Sequence, residues 1–152
     1  MNNEKLKLRK NISIALYAIN AVISLTLGFI YIFRDGFMSY HSAALQQSWD
    51  QLEVHLQVLF KALMMVAGAG WVTLSIAIFF ILIFAFRLNI KWSGYAVPIL
   101  ILTFYVPTLI ATLTVLKSTP STPPWYGNAI ACITTILAYI IYRPSLMKKA
   151  KL

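Results

Sequence analysis

Four long apolar runs, separated by polar stretches, divide the chain. The first, residues 12–33, follows Lys10 and Asn11 and carries only neutral polar groups such as Asn20 and Ser24. At about 1.5 Å per residue it makes a helix of about 33 Å, enough to cross a hydrocarbon core of roughly 30 Å. Residues 57–86 would make a rod of about 45 Å, which must tilt or protrude. Mixed polarity over residues 52–61 favours protrusion. Residues 93–116 and 123–142 can each cross once. The pattern predicts an all-α polytopic membrane protein, a four-transmembrane-helix bundle forming a single membrane domain.

The connections set its orientation. Lys5, Lys7, Arg9 and Lys10 precede the first span, Arg87 and Lys91 lie between the second and third, and Arg143, Lys148, Lys149 and Lys151 follow the fourth. Lys and Arg in short loops stay on the cytoplasmic side, so both termini are expected there. Asp35, Asp50 and Glu53 fall on the opposite side. The first run follows a basic start, as a secretory signal does, but it is longer than a signal core and no small-residue cleavage site closes it. It reads as a retained anchor. The spans differ in length, and Pro98 and Pro107 occur inside the third alone, which argues against an internal repeat.

Composition agrees with lipid as the solvent. Of the 152 residues, 60% are hydrophobic and 11% charged, where a soluble domain has about half and about a quarter. Mean hydropathy is +0.76. A net charge of +9 would raise nucleic acid as a partner, but the basic residues sit at the ends of apolar runs, so no nucleic-acid binding is expected. A single Cys excludes an internal disulfide and a Cys-rich zinc site.

The outer loop, residues 34–56, holds both histidines and three of the four acids. Connections longer than about 15 residues are usually functional or have their own structure. Ser48 and Gln51 fit a capping box, which predicts a helix starting at Trp49 and running unbroken into the second span. On such a helix Asp50, Glu53, Gln57 and Lys61 share one face, beside an apolar face of Leu52, Leu56, Leu59 and Leu63. One reading is a polar pocket in which Glu53 and Lys61 bracket Gln57 and His41 folds over the top. The other is a solvated amphipathic helix with ordinary Glu to Lys pairs. His41, Asp50, Glu53 and His55 could supply metal ligands, but His55 is two residues from Glu53 and points elsewhere on a helix, so no metal site and no cofactor are expected.

Within the spans the polar groups are neutral. Tyr17, Asn20, Ser24, Gly28 and Tyr31 form one stripe, Ala67, Gly68, Ala69 and Gly70 form a close-approach patch, and Tyr105, Thr108 and Thr112 recur at helical spacing. They read either as interhelical packing or as a polar cleft for a headgroup or small solute, with Asn20 and Tyr105 on its wall. No acid lies inside a span, which disfavours proton-coupled export.

The stretches Phe37-Met38-Ser39-Tyr40-His41, Ser48-Trp49-Asp50-Gln51-Leu52, Ala67-Gly68-Ala69-Gly70-Trp71, Tyr105-Val106-Pro107-Thr108-Leu109 and Thr122-Pro123-Pro124-Trp125-Tyr126-Gly127 resemble parts of uncharacterised bacterial four-span membrane proteins. The resemblance implies a bacterial inner membrane and carries no activity. The expected function is non-enzymatic binding of a partner protein, small ligand or lipid through the outer loop and upper bundle, as an accessory subunit or a homo-oligomer. Two alternatives are an oligomeric channel or transporter lined by Asn20 and Ser24, and an enzyme on lipid or quinone using His41 or His55.

Overall fold

The computed structural model describes residues 3–147, and these are all helix and connection, without a strand. Lys148, Lys149 and Lys151, three of the basic residues used to orient the chain, lie outside the described residues. Helix α1 spans Asn3–Phe33, a short α2 spans Ser39–Leu45, and a single 3-10 turn spans Trp49–Gln51. Helix α3, Val54–Ile81, continues as a π-helical turn over Leu82–Phe86; α4 is Ser93–Ser118, α5 is Trp125–Ile141 and α6 is Pro144–Met147. Four of these helices are long and apolar enough to cross a membrane.

Helix α1 lies along α3 for most of its length and also packs on α5, while α4 rests on α5 and touches α3 more sparsely. The central cluster is built from Tyr17 and Ala21 of α1, Trp71 and Ile78 of α3, Ile101 and Tyr105 of α4, and Ala131 and Ala138 of α5. The apolar side chains that face outward are as large as those inside: Phe29, Ile76, Phe80, Ile99 and Ile133 are all exposed. Helices apolar on every face suit a lipid surround.

Helix α1 begins well before residue 12. Its 31 residues make about 46 Å, so the first turns extend past the apolar run and carry the basic residues with them. Two of these close the ends of other helices. The last carbonyls of a helix lack intrahelical donors. Arg9 Nε donates to Ile141 O at 2.7 Å at the end of α5, and Lys10 Nζ donates to Arg87 O at 2.7 Å just past the π-helical turn. Asn89 then takes the left-handed conformation, with Ile90 N–H bonded to Ala85 O and Asn89 N–H to Phe86 O, a Schellman-type stop. Tyr142 Oη donates to Asn89 Oδ1 at 3.1 Å, tying α5 to the same turn.

The start of α5 differs from the sequence reading, which begins the fourth span at residue 123. The helix begins at Trp125. A residue that precedes a proline is pushed to extended backbone, so Pro124 keeps Pro123 out of the helix. The prolines inside α4 do not end that helix.

Candidate functional site

At the end of the bundle opposite the termini, α2 lies across the tops of the long helices. Phe37 anchors the connection before it. That ring is buried with Leu52 and Met64, and meets the edges of Trp49 at 5.1 Å and Phe60 at 6.0 Å between centroids. Met38, extended, opens α2, and its N–H donates to His41 Nδ1 at 3.3 Å. The His41 ring stands edge-on to Tyr31, Phe37 and Tyr40. The hydroxyls of Tyr31 and Tyr40 bond each other, and Ser121 Oγ donates to Tyr40 O at 2.6 Å, pinning α2 to the connection between α4 and α5. Gln46, with φ 55°, ends the helix.

Beneath this cover is a cavity of about 330 Å³. Its roof is His41, Ala44 and Leu45; its wall on α3 includes Leu63, Met64 and Ala67. Tyr31 of α1 and Val115 of α4 complete the lining from the other two helices. The space follows from small side chains and from the sparse packing of α4 on α3: Ala44 and Ala67 face a gap that larger residues would fill. The cavity is open at one side, where Leu45, Leu63 and Ala67 are exposed, and its volume falls within the roughly 300–1,000 Å³ of small-molecule sites.

The predicted polar pocket takes a different form. The helix does not run unbroken from Trp49, because Leu52 and Glu53 are extended between the 3-10 turn and α3. The Ser48 and Gln51 pairing is present, with Ser48 N–H donating to Gln51 Oε1 at 2.9 Å, but it starts only that single turn. The break turns Leu52 into the apolar cluster with Phe37, and Gln57 stabilises it: its Nε2 donates to Trp49 O at 3.1 Å and to Leu52 O at 3.0 Å. Asp50, Glu53 and His55 are exposed. Lys61 Nζ lies 3.7 Å from Asp35 Oδ1, not opposite Glu53, and both partners are open to solvent, where such a pair contributes little. Among the described residues, no three His, Cys, Asp or Glu side chains gather where a metal could sit.

Asn20 and Tyr105 lie deeper, in an interhelical network away from the cavity lining. Asn20 Nδ2 donates to Thr135 Oγ1 at 3.1 Å and Thr134 Oγ1 at 3.2 Å on α5. Ser24 Oγ donates to Asn20 O at 2.8 Å, and Tyr105 Oη, 3.0 Å from Ser24 Oγ, is left to donate to it. Every member is buried or half-buried and bonded. Of the seven candidate residues, then, His41 alone lines the cavity. Sequence reasoning missed Ala44, Leu45, Leu63, Met64 and Ala67 as lining; the available signal was the Ala43-Ala44 pair in the loop and Ala67 in the small-residue patch.

Burial among aromatic rings disfavours the imidazolium of His41, and the Arg34 charge adds to this, so its pKa lies below the ordinary 6.5. Burial, then the bond to Tyr31, raises that of Tyr40. His41 therefore holds α2 as a neutral ring, with Nδ1 as acceptor. The unfolded chain takes up a proton first as pH falls, so the contribution of His41 is complete above pH 6.5 and is lost as acid brings the folded ring through its depressed pKa. Backbone amides of residues 38–42 should lose hydrogen-exchange protection between about pH 7 and about pH 5, after correction for intrinsic exchange. In His41→Asn, which keeps an acceptor for Met38 N–H, this loss should be absent; an identical loss there would remove His41 as its cause.

No protein-family model, curated protein or solved structure matches this chain.

Proposed function

We propose that this is a four-span integral membrane protein with cytoplasmic termini that binds a small apolar ligand or lipid chain in the cavity beneath α2, and that it performs no reaction of its own. The observation that carries the reading is the cavity itself: an apolar, side-opening pocket under a cover tied down by His41, Tyr40 and Ser121. The exposed apolar flanks of α3 and α4 would give a ligand from the bilayer access to it. The inward side of the membrane follows from the basic residues, which collect at the end opposite α2.

The alternatives have less support. A pore lined by Asn20 and Ser24 would have to open their bonds to α5 and Tyr105. A catalytic role for His41 would have to release Nδ1 from Met38 N–H, and His55 lies exposed on the first turn of α3.

Ala67→Phe places a ring in the cavity from an exposed position, so the bundle should tolerate it. Native mass spectrometry of protein released from membranes should show apolar adducts on wild type, reduced at least about tenfold in the variant at unchanged circular dichroism. Equal adduct on both proteins would sink the proposal.

A further inference from the structure

We propose that the cavity beneath α2 selects an apolar chain that carries a carbonyl-type acceptor oxygen, and that His41 recognises that oxygen through its Nε2–H. The inference rests on the binding reading above and adds the chemical class of the ligand. Met38 N–H donates to His41 Nδ1, so Nδ1 holds a lone pair and the neutral ring carries its proton on Nε2. The other polar side chain on the lining, Tyr31, shares a single hydroxyl–hydroxyl bond with Tyr40. The remaining lining side chains are Ala, Leu, Met, Phe and Val, which offer no hydrogen-bonding N or O atom. The lining is therefore apolar except for the Tyr31 hydroxyl, bonded to Tyr40, and the His41 ring at the roof, whose N–H takes no part in the bond from Met38.

That arrangement discriminates. A hydrocarbon would occupy the space but leave the donor without a partner, whereas an ester or ketone oxygen at one end of the chain would satisfy it. The volume of the cavity, about 330 Å³, is at the lower end of the range for small-molecule sites. A neutral amphiphile from the surrounding bilayer fits both the volume and the lining. A neutral hydrogen bond formed in place of a desolvated donor corresponds to roughly 3- to 10-fold in affinity.

The test compares methyl decanoate with undecane, equal in carbon number, by equilibrium binding to the full chain in nanodiscs, corrected for partition into empty ones. Wild type should bind the ester about 3- to 10-fold more tightly. His41→Phe, which keeps an aromatic ring against Tyr31 and Phe37, should bring the ratio to about one, and His41→Gln, which returns an N–H donor near the Nε2 position, should restore part of it. A second readout uses the folded chain without altering His41: in a His55→Gln background, the ¹⁵N shift of His41 Nε2 should move with the ester and not with the alkane. Equal binding of the two probes, or an unchanged ratio in His41→Phe, overturns the recognition of oxygen while leaving the binding reading intact. Binding of neither probe overturns both.

Discussion

Gly68→Ala is expected to destabilise the bundle by about 2 kcal/mol, while Gly127→Ala, the same chemical change, should be neutral or slightly stabilising. A Cβ on Gly68 would stand 2.7 Å from Gly28 O and 3.0 Å from Ile32 N; one on Gly28 would stand 2.9 Å from Gly68 O and 2.7 Å from Val72 Cγ2. The obstructing atoms include backbone on both sides, so no rotamer change relieves the contact, and α1 and α3 must separate at their crossing. Overpacking of this kind costs up to about 3 kcal/mol, and the better helix propensity of Ala returns at most about 1 kcal/mol. At Gly127, where nothing lies within 4 Å of an added Cβ, only the propensity gain remains. The two variants should therefore differ by roughly a hundredfold in folding equilibrium, read as opposite shifts in the midpoint of reversible unfolding in mixed micelles. Midpoints for Gly68→Ala and wild type that coincide would mean that the helices do not cross at these glycines.

The small-residue stripe and patch at that crossing were legible in the chain because their signal is local; that the two meet was not. Tyr17, Asn20, Ser24 and Gly28 recur at three- and four-residue steps, and all four are buried; Gly28 meets Gly68, while Asn20 and Ser24 turn to α5 and Tyr105. The four long helices were legible for the same reason, since run length and polarity need no knowledge of neighbours. Tyr31, the last residue of that stripe, is half-buried and turns instead to Tyr40 and the cavity.

The loop shows where local reading ends. Ser48 and Gln51 pair as their spacing suggests, yet the course of the chain beyond Gln51 depends on Gln57, eight residues after Trp49, folding back onto two carbonyls, and on the apolar cluster at Phe37 drawing Leu52 inward. Neither contact has a helical period. The cavity is harder still to read from sequence, because it consists of side chains that are absent: Ala44 and Ala67 are common residues, and their meaning comes from facing one another across a gap between separate helices. Charged and histidine residues drew attention to the end of the molecule that holds the cavity, but most of them serve its surface and its turn.

The network at Asn20 yields a result that also separates the binding reading from a pore. Asn20→Asp should destabilise the protein by about 3 kcal/mol at neutral pH, and more than Asn20→Leu, despite being nearly isosteric. Thr135 Oγ1 donates to Ala131 O at 2.7 Å, so it presents only lone pairs to α1, while Thr134 Oγ1 donates to Ile130 O at 2.8 Å and has Asn20 Oδ1 at 3.4 Å as a longer alternative. The Asn20 amide supplies the two N–H donors that these lone pairs accept. Leucine removes the donors, forfeiting about 0.6 to 2 kcal/mol per bond, but it recovers part through apolar contact and leaves only unfilled acceptors. A carboxylate sets acceptor against acceptor at Thr135 and brings a charge into a position that is 3% exposed, where it must remain unpaired or draw a threonine proton away from a backbone carbonyl. The order of stability in mixed micelles should thus be wild type, Asn20→Leu, Asn20→Asp. If Asn20 instead faced a water-filled channel, the acidic variant would be hydrated and tolerated and leucine would be the more harmful change. That reversed order would reject a closed network and restore the pore.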